Sequence, residues 1–183
     1  MDAIILSGPP AVGKTTVARL VAEKLKLRLV GGGEILKEIA AETGVKTTGA
    51  DWWDTPGGMK FLARRKKSKK FDKEVDRRLL QKVEAGNVVI TSYTIPWLSK
   101  KGIKIWLAGS AESRSERMAA RDQLSKEECK KVVGVRDAEN LALYKRLYGI
   151  EFGKDLSPFN LIVGTDGIPA ETIAKEVLKY LKK

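Results

Sequence analysis

The chain contains no histidine. That removes the side chain that most often serves as a general base near neutral pH and most often ligates transition metals, so Ser-His-Asp, Cys-His and zinc-hydrolase chemistries are excluded. There is a single cysteine, Cys129. It has no partner for an internal disulfide or a cysteine-built metal site, and its place in a helical pattern makes it an ordinary packing or surface residue. No apolar run approaches the roughly 18 residues of a membrane span, so no membrane role is expected. The first residues run into a strand-like stretch without the n-region, h-region and cleavage site of a secretory signal, and the cytoplasm is the expected compartment. Acidic residues are scarce too. Asp and Glu number 23 against 35 Lys and Arg, a formal charge of +12. Such a chain should attract polyanions, whether nucleotides, RNA or DNA. At 183 residues it has the length of one ordinary domain, 1–183, and a monomer is expected.

What is present alternates. Ala3 to Ser7, AIILS, is a short apolar run closed by Gly-Pro-Pro, which reads as a fully buried strand. From Lys14 the apolar residues Val17, Leu20, Val21 and Leu25 recur at helical spacing. Leu27 to Val30, Val88 to Ile90, Ile103 to Ala108 and Asn160 to Gly164 are also strand-like. Helical patterns lie between them: Glu34 to Glu42, Ser110 to Arg121, a helix opened at Ser125 by the capping box Ser-Lys-Glu-Glu, and a last one carrying Ile173, Ala174, Val177, Leu178 and Leu181. Strands separated by helices predict a parallel sheet covered on both faces.

The turn after the first strand, GPPAVGKTT, matches G-x-x-x-x-G-K-[ST] at Gly8, Gly13, Lys14 and Thr15. Glycines at that spacing let successive N–H groups turn inward on a phosphate while the next helix offers its positive end. Lysine then reaches the β- and γ-phosphates and the hydroxyl of Thr15 serves Mg²⁺. Because the pattern follows a buried-type strand and precedes a helix, the donor is expected to be ATP with Mg²⁺. It would be held by Gly8, Pro9, Pro10, Ala11, Val12, Gly13, Lys14, Thr15 and Thr16, with Thr15 as the metal-facing residue.

The acceptor is the next question. An alcohol or water needs a group to orient or deprotonate it, whereas a nucleoside monophosphate is already mostly dianionic and needs cations. Arg114, Arg117 and Arg121 are spaced by three and four on one helix face, with Arg136 further on. Arginine forks suit a transferred phosphoryl group. Read without function, the same residues are a solvated face paired with Glu112, Glu116 and Asp122.

Several stretches resemble the archaeal cytidylate kinases within the nucleoside monophosphate kinases: SGPPAVGKTTVARLVAEKL, GGGEILKEIA, FDKEVDRRLL, GNVVITSYTIPWL, IKIWLAGSAESRSERMAARD and LYKRLYGIEFGKDLSPFNLIVGT. The resemblance implies an α/β fold with three layers and a five-stranded parallel sheet of the P-loop NTP hydrolase, NMP kinase-like type. It also implies an acceptor-binding insert at 44–80, a short lid at 121–140, and transfer of the ATP γ-phosphate to CMP or dCMP. By the same resemblance Lys14, Arg114, Arg117, Arg121 and Arg136 are catalytic, and Asp72, Asp76 and Arg77 belong to the acceptor site. The chain departs from the family where Lys37 replaces an arginine, where Leu143 replaces a second lid arginine, at Thr91-Ser92-Tyr93, and at Asn160 in place of an aspartate.

Residues 44–70 fit the core pattern least. Trp52 and Trp53 can stack on a base, Gly57 and Gly58 can hinge a flap, and Lys37 completes the expected acceptor set. Arg64 to Lys70, six cations in seven positions, also suits nucleic-acid phosphates, although such runs are more often hydrated surface. Three other readings stay open: an adenylate-type or broad monophosphate kinase, a small-metabolite kinase with an alcohol acceptor, and an RNA-associated ATPase.

Overall fold

The computed structural model describes residues 1–47, 56–123 and 125–182, without the side chains of residues 62 and 65–67. Trp52 and Trp53 lie outside the described residues. Five strands form one parallel sheet: β1 (Ile4–Ser7), β2 (Arg28–Gly31), β3 (Val88–Thr91), β4 (Ile103–Ala108) and β5 (Leu161–Gly164), in the order β2-β3-β1-β4-β5. Around it lie α1 (Lys14–Leu25), α2 (Gly32–Glu42), α3 (Pro56–Lys67), α4 (Lys70–Ala85), the single turn α5 (Ile95–Leu98), α6 (Ala111–Asp122), α7 (Lys126–Tyr148) and α8 (Ala170–Tyr180). The expected α/β architecture with a five-stranded parallel sheet is therefore the one observed.

β1 is central, and Ile4, Ile5, Leu6 and Ser7 are all fully buried, as a strand covered on both faces requires. Alternation along the strands divides the core. Ile4, Leu6, Val89, Ile105, Leu107 and Val163 pack on α1 and α8, while Ile5, Val30 and Ile90 pack on α2, α4 and α5. A third cluster over β4 is aromatic, with Trp106, Tyr144, Phe152, Trp97 and Phe159 in mutual ring contact. Asn160 enters here. Its side-chain oxygen accepts the Lys104 N–H at 2.8 Å while its own N–H donates to Lys104 O, also at 2.8 Å. Only an acceptor oxygen is used, so the amide does the work an aspartate would do in fastening β5 to β4.

One expectation needs correction. Gly57 and Gly58 are not hinge residues of a loop but stand in the first turn of α3, and that helix buries Phe61, 1% exposed, edge-on to Phe71 in the α2–α4 core. The stretch 121–140, expected as the lid, is largely helical. It comprises the end of α6, a three-residue connection, and the first fifteen residues of α7. Ser125 caps α7 through the expected capping box, and Met118, Cys129 and Val133 join the two helices as an antiparallel pair. Cys129 is thus a packing residue, and burial raises its thiol pKa.

Candidate functional site

In parallel sheets of this order, ligands bind beyond the carboxyl ends of the strands where the chain connections diverge to opposite sides. Here that point is β1, flanked by β3 and β4, and the glycine-rich loop leaves its carboxyl end. The glycines are required by geometry. A Cβ on Gly8 would lie 2.4 Å from Leu107 O, so only glycine lets the loop press against β4. Gly13 has φ 97 and caps α1 without a side-chain acceptor; a Cβ there would meet nothing within 4 Å. The loop therefore curls around open space at a helix N-terminus, the arrangement that holds a phosphate chain.

Lys14, the first residue of α1, folds back so that its Nζ donates to Gly8 O and Pro9 O, both at 2.8 Å, and lies 4.5 Å from the centre of the Tyr93 ring. Its pKa is lowered from 10.5 to about 7. Burial is the chief cause, followed by the positive charges of Arg136 and Arg114, with Asp137 opposing them. Thr15 and Thr16 follow in the first turn of α1 and are exposed.

Beside the loop opens a cavity of about 780 Å³, within the usual range for small-molecule sites. Lys14, Thr15 and Arg136 stand on its wall, as do Asp72 and Asp76 of α4, Gly31 to Gly33 at the β2–α2 junction, Ser92 to Thr94 after β3, and Glu139, Asn140 and Leu143 of α7. Asp72 and Asp76 are four residues apart on one helix and so face the same space. Asp76 is 8% exposed; one oxygen accepts from the Thr94 hydroxyl at 2.6 Å and the other from Tyr148 OH at 2.7 Å. Ser92 Oγ lies 3.3 Å from the Thr94 hydroxyl and accepts the N–H groups of Thr94 and Ile95. The Tyr148 pKa is raised by burial and by the Asp76 carboxylate, which keeps the phenol a donor.

The arginines separate by role. Arg136 is exposed on the cavity wall and makes no hydrogen bond or ion pair with any described residue. Arg114, 5% exposed, was expected at the phosphates but is fully engaged. Its guanidinium makes a double bond pattern to Asp137 at 2.9 and 2.7 Å, and it donates to Gly109 O at 3.1 Å and Pro10 O at 3.2 Å. Arg117 donates to the hydroxyl and the carbonyl of Thr165, bracing the loop's outer wall against the β5–α8 connection. Arg121 is exposed and pairs with its neighbour Asp122. Glu112 and Glu116 pair with Lys126 and Lys130 rather than with any arginine. On the acceptor side Arg77 is turned away from the cavity toward Glu74 at 2.7 Å, and Lys37, half-buried on α2, is not among the lining residues.

Ser92, Thr94, Glu139, Asn140 and Tyr148 were not singled out as site residues from sequence. The pairing of Asp76 with Thr94 and Tyr148 spans 18 and 72 positions, so no local pattern announces it.

Sheet order, glycine loop and cavity together define a P-loop phosphotransferase of the small-kinase type. The model of the cytidylate kinase-like family matches residues 3–166, and the chain belongs to that family. A cytidylate kinase of Pyrobaculum islandicum is 33% identical over 183 residues, covering 99% of this chain and 93% of the relative. One from Methanocaldococcus jannaschii is 32% identical over 188 residues, covering 98% and 99%. Among solved structures, an uncharacterized protein from Eubacterium ventriosum has a TM-score of 0.72 at 14% identity, covering 99% of this chain and 98% of that one. Shikimate kinase from Acinetobacter baumannii in complex with shikimate has a TM-score of 0.59 at 20% identity, covering 100% and 93%. At such identities the structures share the fold alone. Family membership makes this protein an ATP-dependent phosphotransferase acting on nucleotides. Among the described residues no helix is long and apolar enough to cross a membrane.

Proposed function

We propose that the protein transfers the γ-phosphate of ATP to CMP or dCMP, giving ADP and the cytidine diphosphate. The observation that carries this reading is the cavity itself, which joins the donor lysine and an uncommitted arginine to a pocket wall bearing two carboxylates. Arg136 and Lys14 suit the acceptor phosphate and the donor tail. Asp72 and Asp76, with the amide of Asn140, suit a base carrying an exocyclic amine, since carboxylates accept from it and penalise a carbonyl in its place. The relatives named cytidylate kinase point to the same base.

The donor loop fits a triphosphate, because Gly13 opens onto free space at the start of α1 and Lys14 is poised beside it. Thr15, exposed in the same first turn and on the cavity wall, is the residue that would face Mg²⁺. When bound, ATP would supply the phosphoryl group, and a Mg²⁺ held by Thr15 would supply positive charge that offsets the phosphate tail. Lys14 exchanges its carbonyl partners for the phosphate tail, and Arg136 offsets the repulsion between two polyanions. An oxygen of the acceptor phosphate forms the new P–O bond as the bond to the ADP oxygen breaks. No side chain becomes covalently linked, and catalysis consists of alignment and charge neutralisation. Residues 44–80 supply the acceptor side with Asp72 and Asp76, Trp52 and Trp53 remain candidates for stacking on the base, and 121–140 acts as the lid that brings Arg121 in.

The test is ADP release with CMP, dCMP, UMP, AMP and GMP as acceptors. The cytidine nucleotides should give the highest kcat/KM. Equal use of all five would support a broad monophosphate kinase, and turnover stimulated by RNA alone would support the ATPase reading.

A further inference from the structure

α7 carries two neighbouring residues that face different parts of the site. Arg136 lines the acceptor cavity, and Asp137 grips Arg114 through both carboxylate oxygens. Arg114 in turn holds a carbonyl of the donor loop, Pro10 O, and one at the β4–α6 junction, Gly109 O. That junction has no slack. A Cβ on Gly109 would lie 2.8 Å from Thr165 Oγ1 and 3.0 Å from Val12 Cγ2, so the loop is wedged between β4 and the β5–α8 connection. Met118, Cys129 and Val133 are packed between α6 and α7 and tie the two helices together. A displacement of the α7 turn that draws Arg136 toward an acceptor phosphate therefore also displaces Asp137, Arg114 and Pro10 O.

We infer that Asp137 is a positioning residue that acts through Arg114, coupling occupancy of the acceptor cavity to the shape of the donor loop. This rests on the acceptor reading of the cavity. It differs from the expectation that Arg114 itself touches the transferred phosphate. Under that expectation Asp137 is a restraint to be broken. Under ours it is a support, and Arg114 is committed to main-chain carbonyls throughout. Among the described residues the other ion pairs between these helices run the opposite way, with Lys126 and Lys130 of α7 serving Glu112 and Glu116 of α6, and only Arg114–Asp137 sets a cation of α6 against an anion of α7.

The experiment compares wild type with Asp137→Asn, which keeps the size of the side chain and removes the charge. Kd for ADP is measured with and without CMP by titration calorimetry, alongside kcat and the KM for CMP. The expected result is ADP binding weakened about tenfold and kcat lowered by about ten- to a hundredfold, because small misplacements of reacting groups cost that much. The effect of CMP on ADP affinity should fall to none, with the KM for CMP changed less than about threefold. Unchanged or raised kcat and ADP affinity in Asp137→Asn would overturn the proposal and favour direct contact by Arg114. Should the single change unfold the protein, Arg114→Met with Asp137→Leu leaves no unpaired buried charge. That folded double variant must show the same losses, and full activity in it would refute the coupling. If wild type phosphorylates no nucleoside monophosphate, the acceptor reading fails, and the ADP affinities of wild type and Asp137→Asn still decide whether Asp137 supports the loop.

Discussion

Changing pH perturbs Lys14 more informatively than mutation does. In the nucleotide-free protein its pKa is about 7 instead of 10.5, chiefly through burial and then through Arg136 and Arg114. A phosphate tail beside the ammonium reverses that balance, since an opposite charge within a few ångströms favours the charged form. If the bound lysine regains its ordinary value, the shift of about 3.5 units corresponds to roughly 5 kcal/mol of linkage between proton and anion binding. Above pH 7 each nucleotide bound must then carry in about one proton, and affinity falls as pH rises. The factor 1 + 10^(pH − 7) gives about a seventyfold rise in the Kd of ADP between pH 7.5 and 9.5, a range in which the nucleotide's own phosphates are already ionised. Calorimetry in buffers of different ionisation enthalpy measures both the Kd and the proton uptake. Lys14→Ala should bind weakly with no such slope. Stability follows the opposite trend. The unfolded chain holds this proton up to pH 10.5 and the folded one only to about 7, so the nucleotide-free fold gains stability between those values. A flat Kd profile for wild type, with no proton taken up, would refute the reasoning that a partly neutral Lys14 must be recharged to grip the phosphates.

Other consequences follow from packing and hydrogen bonds. Tyr148→Phe deprives a buried carboxylate of one donor and should cost about 1–3 kcal/mol in urea unfolding while raising the KM for the acceptor more than that for ATP. Phe61→Ala should cost about 3–5 kcal/mol, because α3 is anchored in the core; a negligible cost would restore the picture of a loose flap. Ser125→Ala removes the cap of α7 and should lower stability by about 1 kcal/mol without altering kcat.

The strand–loop–helix at the start was legible because each of its signals is local: an apolar run, glycines at fixed spacing, then apolar residues three and four apart. The capping box at Ser125 was legible for the same reason. α3 was hidden because its first turn holds two glycines and its end is a basic run around the buried Phe61, a pattern that lowers helix propensity. Asp72 and Asp76 share the cavity wall, as four residues' spacing on one helix requires, but the partners of Asp76 come from the segment after β3 and the end of α7. Arg77 followed them in sequence and not in space, since one step along a helix turns a side chain by about 100 degrees, here toward Glu74. Arg114 shared a helix face with Arg117 as the spacing predicted. What spacing could not convey is that the loop's carbonyls and Asp137 would occupy its guanidinium.

The central claim is that a phosphoryl group passes from ATP to a nucleotide held beside Lys14 and Arg136. The most direct measurement follows the label from γ-³²P-ATP in a reaction containing CMP and Mg²⁺. Label recovered in CDP, at a rate that falls by orders of magnitude in Lys14→Ala, is the predicted result. Label recovered only as inorganic phosphate, or left on ATP with every nucleotide offered, would contradict it.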